Sequence, residues 1–400
     1  MNIAVIGGGA SGLMAAIAAK SGDNVVTIYE RGARVGRKIL ATGNGRCNMT
    51  NITATDRNYH GMEPSFVRGA IRRFWVKETL DFFSELGVLW KEEREGKVYP
   101  YSDSASSVLD VLRRHADRIG VITECGCDAK AVKRARNGFE IEFYSGRKAV
   151  CDRVIIATGG KAAPSTGSTG GGYPILESFG HRITALNPSL VQIKTDKDEV
   201  RGLKGIKLNA RVTIGDKSES GEVLFTDYGL SGPPVFSLSA VIGDSRFAEL
   251  DIMPEYSYDD ILDMLQARCA FLCDIELADF FTGMLNKRVG QTVLKRSGAT
   301  PLSKTAAELK LHDLKKLVST IKKWRFHICG TMSWNNAQVT HGGAVTAQFD
   351  SGTMQSKLVK GLYACGEVLD IDGDCGGYNL QWAWSSGYLA GRAAADKNKG

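Results

Sequence analysis

Three glycines, Gly7, Gly9 and Gly12, follow the short apolar run Ile3-Ala4-Val5-Ile6 and precede a helical run from Leu13 to Lys20. A second apolar run, Val25 to Tyr29, ends at Glu30, 18 residues after Gly12. A lone G-x-G-x-x-G is common, but strand, turn, helix, strand and terminal acid in this order define a βαβ dinucleotide fingerprint. Gly7 makes the tight turn, Gly9 lets a pyrophosphate approach the backbone, and Gly12 lets the helix pack closely. The amides around Ala10 and Ser11 face the phosphates, and Glu30 can accept both ribose hydroxyls.

Composition narrows the remainder. The 400 residues suffice for two or three domains, and 43% hydrophobic with 24% charged residues exclude disorder, collagen and coiled coil. The 46 glycines cluster in runs such as Gly170-Gly171-Gly172 and Gly376-Gly377, where backbone is expected to press against ligands. Residues 1–19 carry no charge, yet three glycines interrupt them and no basic segment precedes them, so they read as mature fold, not signal peptide. No other apolar run approaches 18 residues, which argues against a membrane protein. Nine irregularly spaced cysteines argue against a disulfide scaffold and for the reducing cytoplasm.

Along the chain, helical patterns run from Val67 to Leu86 and from Ser104 to Arg118, followed by hairpins turning at Asn137-Gly138 and Ser145-Gly146. The strand Val154-Ile155-Ile156-Ala157 then ends in Thr158-Gly159-Gly160. Short strands dominate from Leu190 to Ile252 and helical periodicity from Tyr258 to Lys323, before α/β character returns with Leu362-Tyr363-Ala364 and a closing helix near 379–395. This predicts a split α/β dinucleotide domain of residues 1–189 and 330–400, interrupted by a β-rich insert (190–255) and a helical insert (256–329).

The fingerprint alone does not distinguish NAD from FAD. The segment Gly36 to Asn51, with Arg37, Lys38, Gly43, Gly45, Arg46, Cys47 and Asn48, is too polar and glycine-rich for a core element and too long for a bare turn. It reads as a loop laid along an extended ligand. Near the other end Gly366-Glu367 follows a strand, and Asp374 with Gly377-Tyr378-Asn379 leads into a helix. An acid there can bond a ribitol hydroxyl, and the helix N-terminus can stabilise negative charge on a reduced flavin. Arg31, Ala157, Thr158 and Gly159 complete the expected cofactor contacts. Gly167-x-x-Gly170 lacks the strand context of a second fingerprint and reads as a flavin or substrate loop, so NAD(P)H is expected only as a transient donor.

At this point a resemblance becomes specific. The blocks GGGASGL (7–13), GRKILATGNGRCNMTN (36–51), VIIATGG (154–160), VLFTDYGLSGPPVFSLS (223–239) and GLYACGEVLDIDGDCGGYNLQWAWSSGYLAG (361–391) resemble those of the BaiN-like, HI0933-like family of FAD-dependent flavoproteins. The resemblance spans nearly the whole chain. It implies a split FAD domain of glutathione-reductase type with a β-barrel and helical insert. Members are implicated in reducing conjugated C=C bonds of 3-oxo bile acids, forming dihydrouridine in ribosomal RNA, and oxidising small amines such as aminoacetone. His341-Gly342-Gly343 departs from the pattern, in which a small residue precedes the glycine pair, and it falls near the implied substrate side.

Cys47 and Cys375 lack the C-x-x-C spacing of a dithiol, and Cys269 with Cys273, four apart in a helical pattern, are expected to pack in the core rather than bind metal. The six histidines show no metal-ligand spacing, so no metal is assigned. His341 is the best catalytic acid candidate by location. Between Asn286 and Arg325, eleven basic residues face two acidic ones, a balance of +9 in a chain of net charge +7. Such a stretch usually forms a solvated helical face, and Trp324 is its only aromatic, although RNA could engage it. The sequence therefore predicts an FAD-dependent reductase of a conjugated C=C bond in a small apolar substrate of 3-oxo steroid or bile-acid type, the RNA and amine readings standing behind it.

Overall fold

The computed structural model describes residues 1–240, 242–243 and 245–396. The chain divides into two compact units, Met1–Ser189 with Trp334–Gly400, and Leu190–Ser333.

The first unit is built on a five-stranded parallel sheet ordered Leu362–Ala364, Arg153–Ile156, Asn2–Ile6, Val25–Glu30, Ile122–Cys125. Strands Asn2–Ile6, Arg153–Ile156 and Leu362–Ala364 are buried almost throughout, with helices Ala10–Ala19 and Tyr378–Ala395 packed against them, as the apolar strands of a parallel sheet require, whereas the edge strand Ile122–Cys125 is largely exposed. The helix Ala10–Ala19 is buried along nearly its whole length and packs on the closing helix Tyr378–Ala395. The crossing is close because the closing helix offers glycine there: a Cβ on Gly391 would sit 2.2 Å from the Ala15 carbonyl oxygen. At the start of its strand, the buried Arg153 donates to the carbonyls of Ala393, Ala394 and Asp396 at 2.8–3.1 Å, satisfying the last turn of that helix. The two hairpins form a three-stranded antiparallel sheet, Ala129–Ala135, Gly138–Phe143 and Lys148–Cys151.

The second unit is a closed six-stranded barrel ordered Ile193–Thr195, Gly229–Ser231, Lys217–Phe225, Lys207–Ile214, Phe247–Asp251, Trp324–Thr331. Phe225, Trp324 and Phe326 stack in its core with centroids 5.2–5.8 Å apart. Helices Tyr258–Phe271, Lys287–Ser297 and Leu311–Lys322 bury Ile261, Leu265, Val293, Leu317 and Ile321 in the same core.

Two boundaries differ from the sequence reading. The helical pattern 67–86 is broken: Arg68–Ile71 ends, Trp75 is extended, and Val76–Glu85 starts anew because the Glu78 carboxylate accepts the Trp75 N–H at 2.9 Å. The helical segment placed at 256–329 stops at Lys322, and its last residues form the barrel strand Trp324–Thr331, whose alternating burial is too short a signal to stand out after a helix. The insert is entered and left by neighbouring strands. In the first unit Asn187–Ser189 pairs with Val339–His341, and in the second Ile193 pairs with Thr331.

Candidate functional site

Gly7 adopts φ +102° and its N–H donates to the Tyr29 carbonyl at 2.9 Å, turning the chain at the sheet end. A Cβ on Gly12 would lie 1.9 Å from the Gly7 oxygen, whereas one on Gly9 would meet nothing within 4 Å. The helix Ala10–Ala19 opens at Gly9 with no side-chain cap and no acid in its first turn. Its first N–H groups and positive dipole end thus face the open space at Gly9, an anion cradle. Glu30 is fixed in plane, accepting from Gly8 N–H at 2.8 Å and Gly32 N–H at 2.7 Å. Arg31 bonds the Thr169 hydroxyl and pairs with Asp128 at 3.2 Å, and Arg37 donates to the Ser165 carbonyl at 2.7 Å. The Gly167 loop thereby lies at the Glu30 end. Ala157, bonded to the Ile6 carbonyl, extends the central strand pair to Thr158 and Gly159 beside the fingerprint.

The N- and C-terminal blocks meet. Lys38 Nζ lies 2.8 Å from Glu367 Oε2, while Glu367 Oε1 accepts the Thr340 N–H at 2.9 Å. The Thr340 hydroxyl accepts from the N–H groups of Lys161 and Ala162. Ser11 reaches the Cys365 carbonyl at 3.5 Å, and Gly366 N–H donates to the Ser386 hydroxyl.

Several side chains of the expected cofactor set are engaged within the protein. The guanidinium of Arg46 pairs with Glu93 and Asp103 and lies 4.0 Å above the Tyr99 ring. Cys47 is fully buried at φ +61°, and burial pushes its thiol up to about 12, so it carries no thiolate at neutral pH. Burial likewise raises Cys375, and both cysteines are free thiols. With its NH₂ toward the carbonyls of Val98 and Thr50, the Asn48 amide accepts the Gly377 N–H at 3.1 Å. Gly43 and Gly45 provide the positive φ angles of the same loop. Asn379 clamps the Gly373-Asp374 turn through both backbone groups of Gly373 and the Asp374 carbonyl. The helix beginning at Tyr378 has no acid in its first turn and no side-chain cap.

Gln381 and Thr340 escaped the sequence reading. Gln381 is wholly buried and bonds Thr50, Thr79 and Ser385, tying the 48–51 loop to the closing helix. Its polar tip in an apolar helix was the available signal.

His341 Nδ1 lies 2.8 Å from Asp372 Oδ1, and Asp372 is 1% exposed. That hydrogen bond, outweighing burial, holds the imidazole above its ordinary range, and Asp370 adds to it. A second pair, unforeseen in the sequence, stands beside it: His60 Nε2 lies 2.7 Å from Asp374 Oδ1, which raises His60 too. Burial raises the carboxyl of Asp370, which accepts the Met62 N–H.

The basic stretch is partly neutralised by its own unit. Lys287 pairs with Asp279, Arg296 with Glu199, Lys322 with Asp251, and Lys323 and Arg325 with Glu249. Lys315 and Lys316 line a shallow depression with Arg296, Ser297, Ser319 and Thr320.

The open cradle at Gly9, the uncapped helix and the oriented Glu30 carboxylate fit a dinucleotide, and the second uncapped helix at Tyr378 fits the anionic edge of its reactive ring. These features define a Rossmann-type dinucleotide-binding protein with an inserted barrel. A family profile described as the HI0933-like protein Rossmann domain matches residues 1–393, and the chain belongs to that family. Over 408 residues it is 40% identical to the 3-dehydro-bile acid delta(4,6)-reductase of Clostridium scindens, covering 99% of each chain. It is 33% identical over 392 residues to the ribosomal RNA dihydrouridine synthase of Haemophilus influenzae, covering 96% of each. Among solved structures, the 3-ketosteroid-delta4-(5alpha)-dehydrogenase of Rhodococcus jostii RHA1 superposes with a TM-score of 0.51 at 15% identity, covering 99% of this chain and 96% of that one, a likeness of fold. Among the described residues, no helix is long and apolar enough to cross a membrane.

Proposed function

We propose that the protein is an FAD-dependent oxidoreductase of the cytoplasm that reduces a conjugated C=C bond in a small apolar substrate of 3-oxo steroid or bile-acid type, with NAD(P)H as transient donor. The observation that carries this reading is the 40% identity, end to end, with a reductase of 3-dehydro-bile acids.

In this assignment the N–H groups at Gly9, Ala10, Ser11 and Gly12 hold the pyrophosphate and Glu30 the adenosine ribose, with Gly7 shaping the turn and Arg31 and Arg37 holding the 165–169 loop over that end. Lys38 and Glu367 orient the ribityl chain, and Gly43, Gly45, Ala157, Thr158, Gly159 and Gly366 give it backbone access. Arg46, Cys47, Asn48, Asp374 and Asn379 hold the loops, and Gly377 with Tyr378 opens the helix toward the ring. When bound, FAD supplies a hydride to the β-carbon of the conjugated system. Negative charge then develops on the substrate carbonyl and α-carbon, and a proton must be delivered to it. His341 can deliver that proton from Nε2, because Nδ1 is held by Asp372, which also stabilises the imidazolium.

The ribosomal RNA relatives favour a second reading, in which the acceptor is uracil in RNA and the basic helices contact phosphate. Anaerobic reduction of the bound flavin, then reoxidation by enones, uracil-containing RNA, amines or oxygen, tests both. Rapid reoxidation by a 3-oxo-4-ene steroid is expected. Reoxidation by RNA alone, or by oxygen with an amine as the reductant, would replace the proposal.

A further inference from the structure

The histidine–aspartate cluster holds more than one proton donor requires. His60 and Asp372 are direct register partners in the two-stranded ladder of Tyr59–His60 with Asp372–Gly373. Directly opposed side chains share a face, and residues two apart on one strand share it as well. His60 therefore lies over Asp372 and bonds Asp374, two positions on, at 2.7 Å. His341 arrives from a different strand, Val339–His341, and takes one oxygen of Asp372. The other oxygen, Oδ2, is buried with no hydrogen-bond partner among the described residues. An unpaired carboxylate oxygen in such a place is unfavourable unless positive charge faces it. The groups facing His60 are Asp374 and Asp372, which favour its charge, and His341, which disfavours it; those facing His341 are Asp372, Asp370 and, since repulsion between two charges is mutual, His60.

We propose that His60 is a positioning residue for His341: the two imidazoles flank the buried Asp372 carboxylate as one coupled unit, in which His60 with Asp374 sets the proton affinity of the donor. The inference rests on the reading of His341 as the acid of the proposed reaction. In each turnover one hydride and one proton add across the C=C bond, and the proton leaves Nε2 of His341, which becomes neutral with Nδ1–H still on Asp372. A charged His60 disfavours charge on His341 and makes it a readier donor, while Asp372 offsets the repulsion enough for both to be protonated. Asp374, fixed by Asn58 and Asn379, keeps His60 in place.

The test is an NMR titration of histidine Cε1–H signals in the oxidised, FAD-loaded protein, assigned with His60→Gln and His341→Gln. In the wild type, the His341 curve should be broadened across two steps. His60→Gln should raise the His341 midpoint by about half a unit or more, as expected when a like charge several ångströms away is removed. Asp374→Asn keeps both rings, so it guards against a folding failure of the first variant; it should lower the His60 midpoint and raise that of His341. With substrate, His60→Gln should move the alkaline limb of kcat to higher pH and leave KM nearly unchanged. A His341 midpoint within about 0.2 units of wild type in both variants would overturn the coupling. Because the titration uses no substrate, coupling without enone reduction would condemn the proposed reaction alone, and reduction without coupling this inference alone.

Discussion

Lys38 and Glu367, 329 residues apart in the chain, meet in a 2.8 Å ion pair that joins the first ligand loop to the last. Both side chains are mostly buried, at 25% and 18% exposure. Removing one partner strands the other, so Lys38→Met should cost about 1–3 kcal/mol of stability after allowance for partial solvent screening. It should also weaken flavin retention. Denaturant midpoints of the holoprotein and flavin release during gel filtration check both, and a Lys38→Met protein as stable and as yellow as wild type would refute them.

Gly391→Ala should destabilise without touching the ligand. Its methyl would meet the Ala15 carbonyl, backbone that cannot rotate away, and forced overpacking costs about 1–3 kcal/mol. A lowered melting temperature with an unaltered flavin absorption spectrum is the expected pair of results.

The pH dependence follows from the raised imidazoles. His341 titrates above its unfolded value of 6.5. Its stabilising contribution is therefore complete below that value and fades as pH rises through the folded one; His60 has the same sign. Flavin reoxidation by an enone should fall over the same upper window, since only the protonated ring donates. His341→Gln should slow it about 10²- to 10⁴-fold and flatten the alkaline limb. Single-turnover rates across pH 5 to 10, in roughly half-unit steps around the ordinary histidine range, measure this.

The basic helices separate the two substrate readings. Lys322 belongs to the barrel, bonding Asp251 and the carbonyls of Met253 and Tyr256, so its loss reports on stability. Lys295, Lys315 and Lys316 make no ion pair among the described residues, and with Arg296 they form the set to neutralise. Enone-driven reoxidation should stay within about twofold, because screened surface charges act weakly on an uncharged ligand. Were RNA the acceptor, the change would flatten a salt slope of about −0.7 per phosphate contact.

Much of this fold is legible in the sequence. The parallel strands, the fingerprint turn and the β-rich character of 190–255 are legible because their signals are local: contiguous apolar runs, glycine spacing, alternation. The closure into a barrel comes only with the family resemblance, and its last strand, Trp324–Thr331, stays hidden in a stretch that reads as helical. His60 was illegible for the opposite reason. Its strand is two residues long and exists only by pairing with Asp372–Gly373, over 300 residues away. Asp374 and Asn379 stood in a block that looked ligand-facing, yet they hold His60 and a turn. Sequence position placed them near the site and could not say which way they face.

The pairing of Ser189 with Val339 has an evolutionary corollary. A chain that departs and returns along adjacent antiparallel strands could once have been closed by a simple hairpin. Everything between those strands is then a cassette, removable at one seam without cutting a single strand or helix of the other unit.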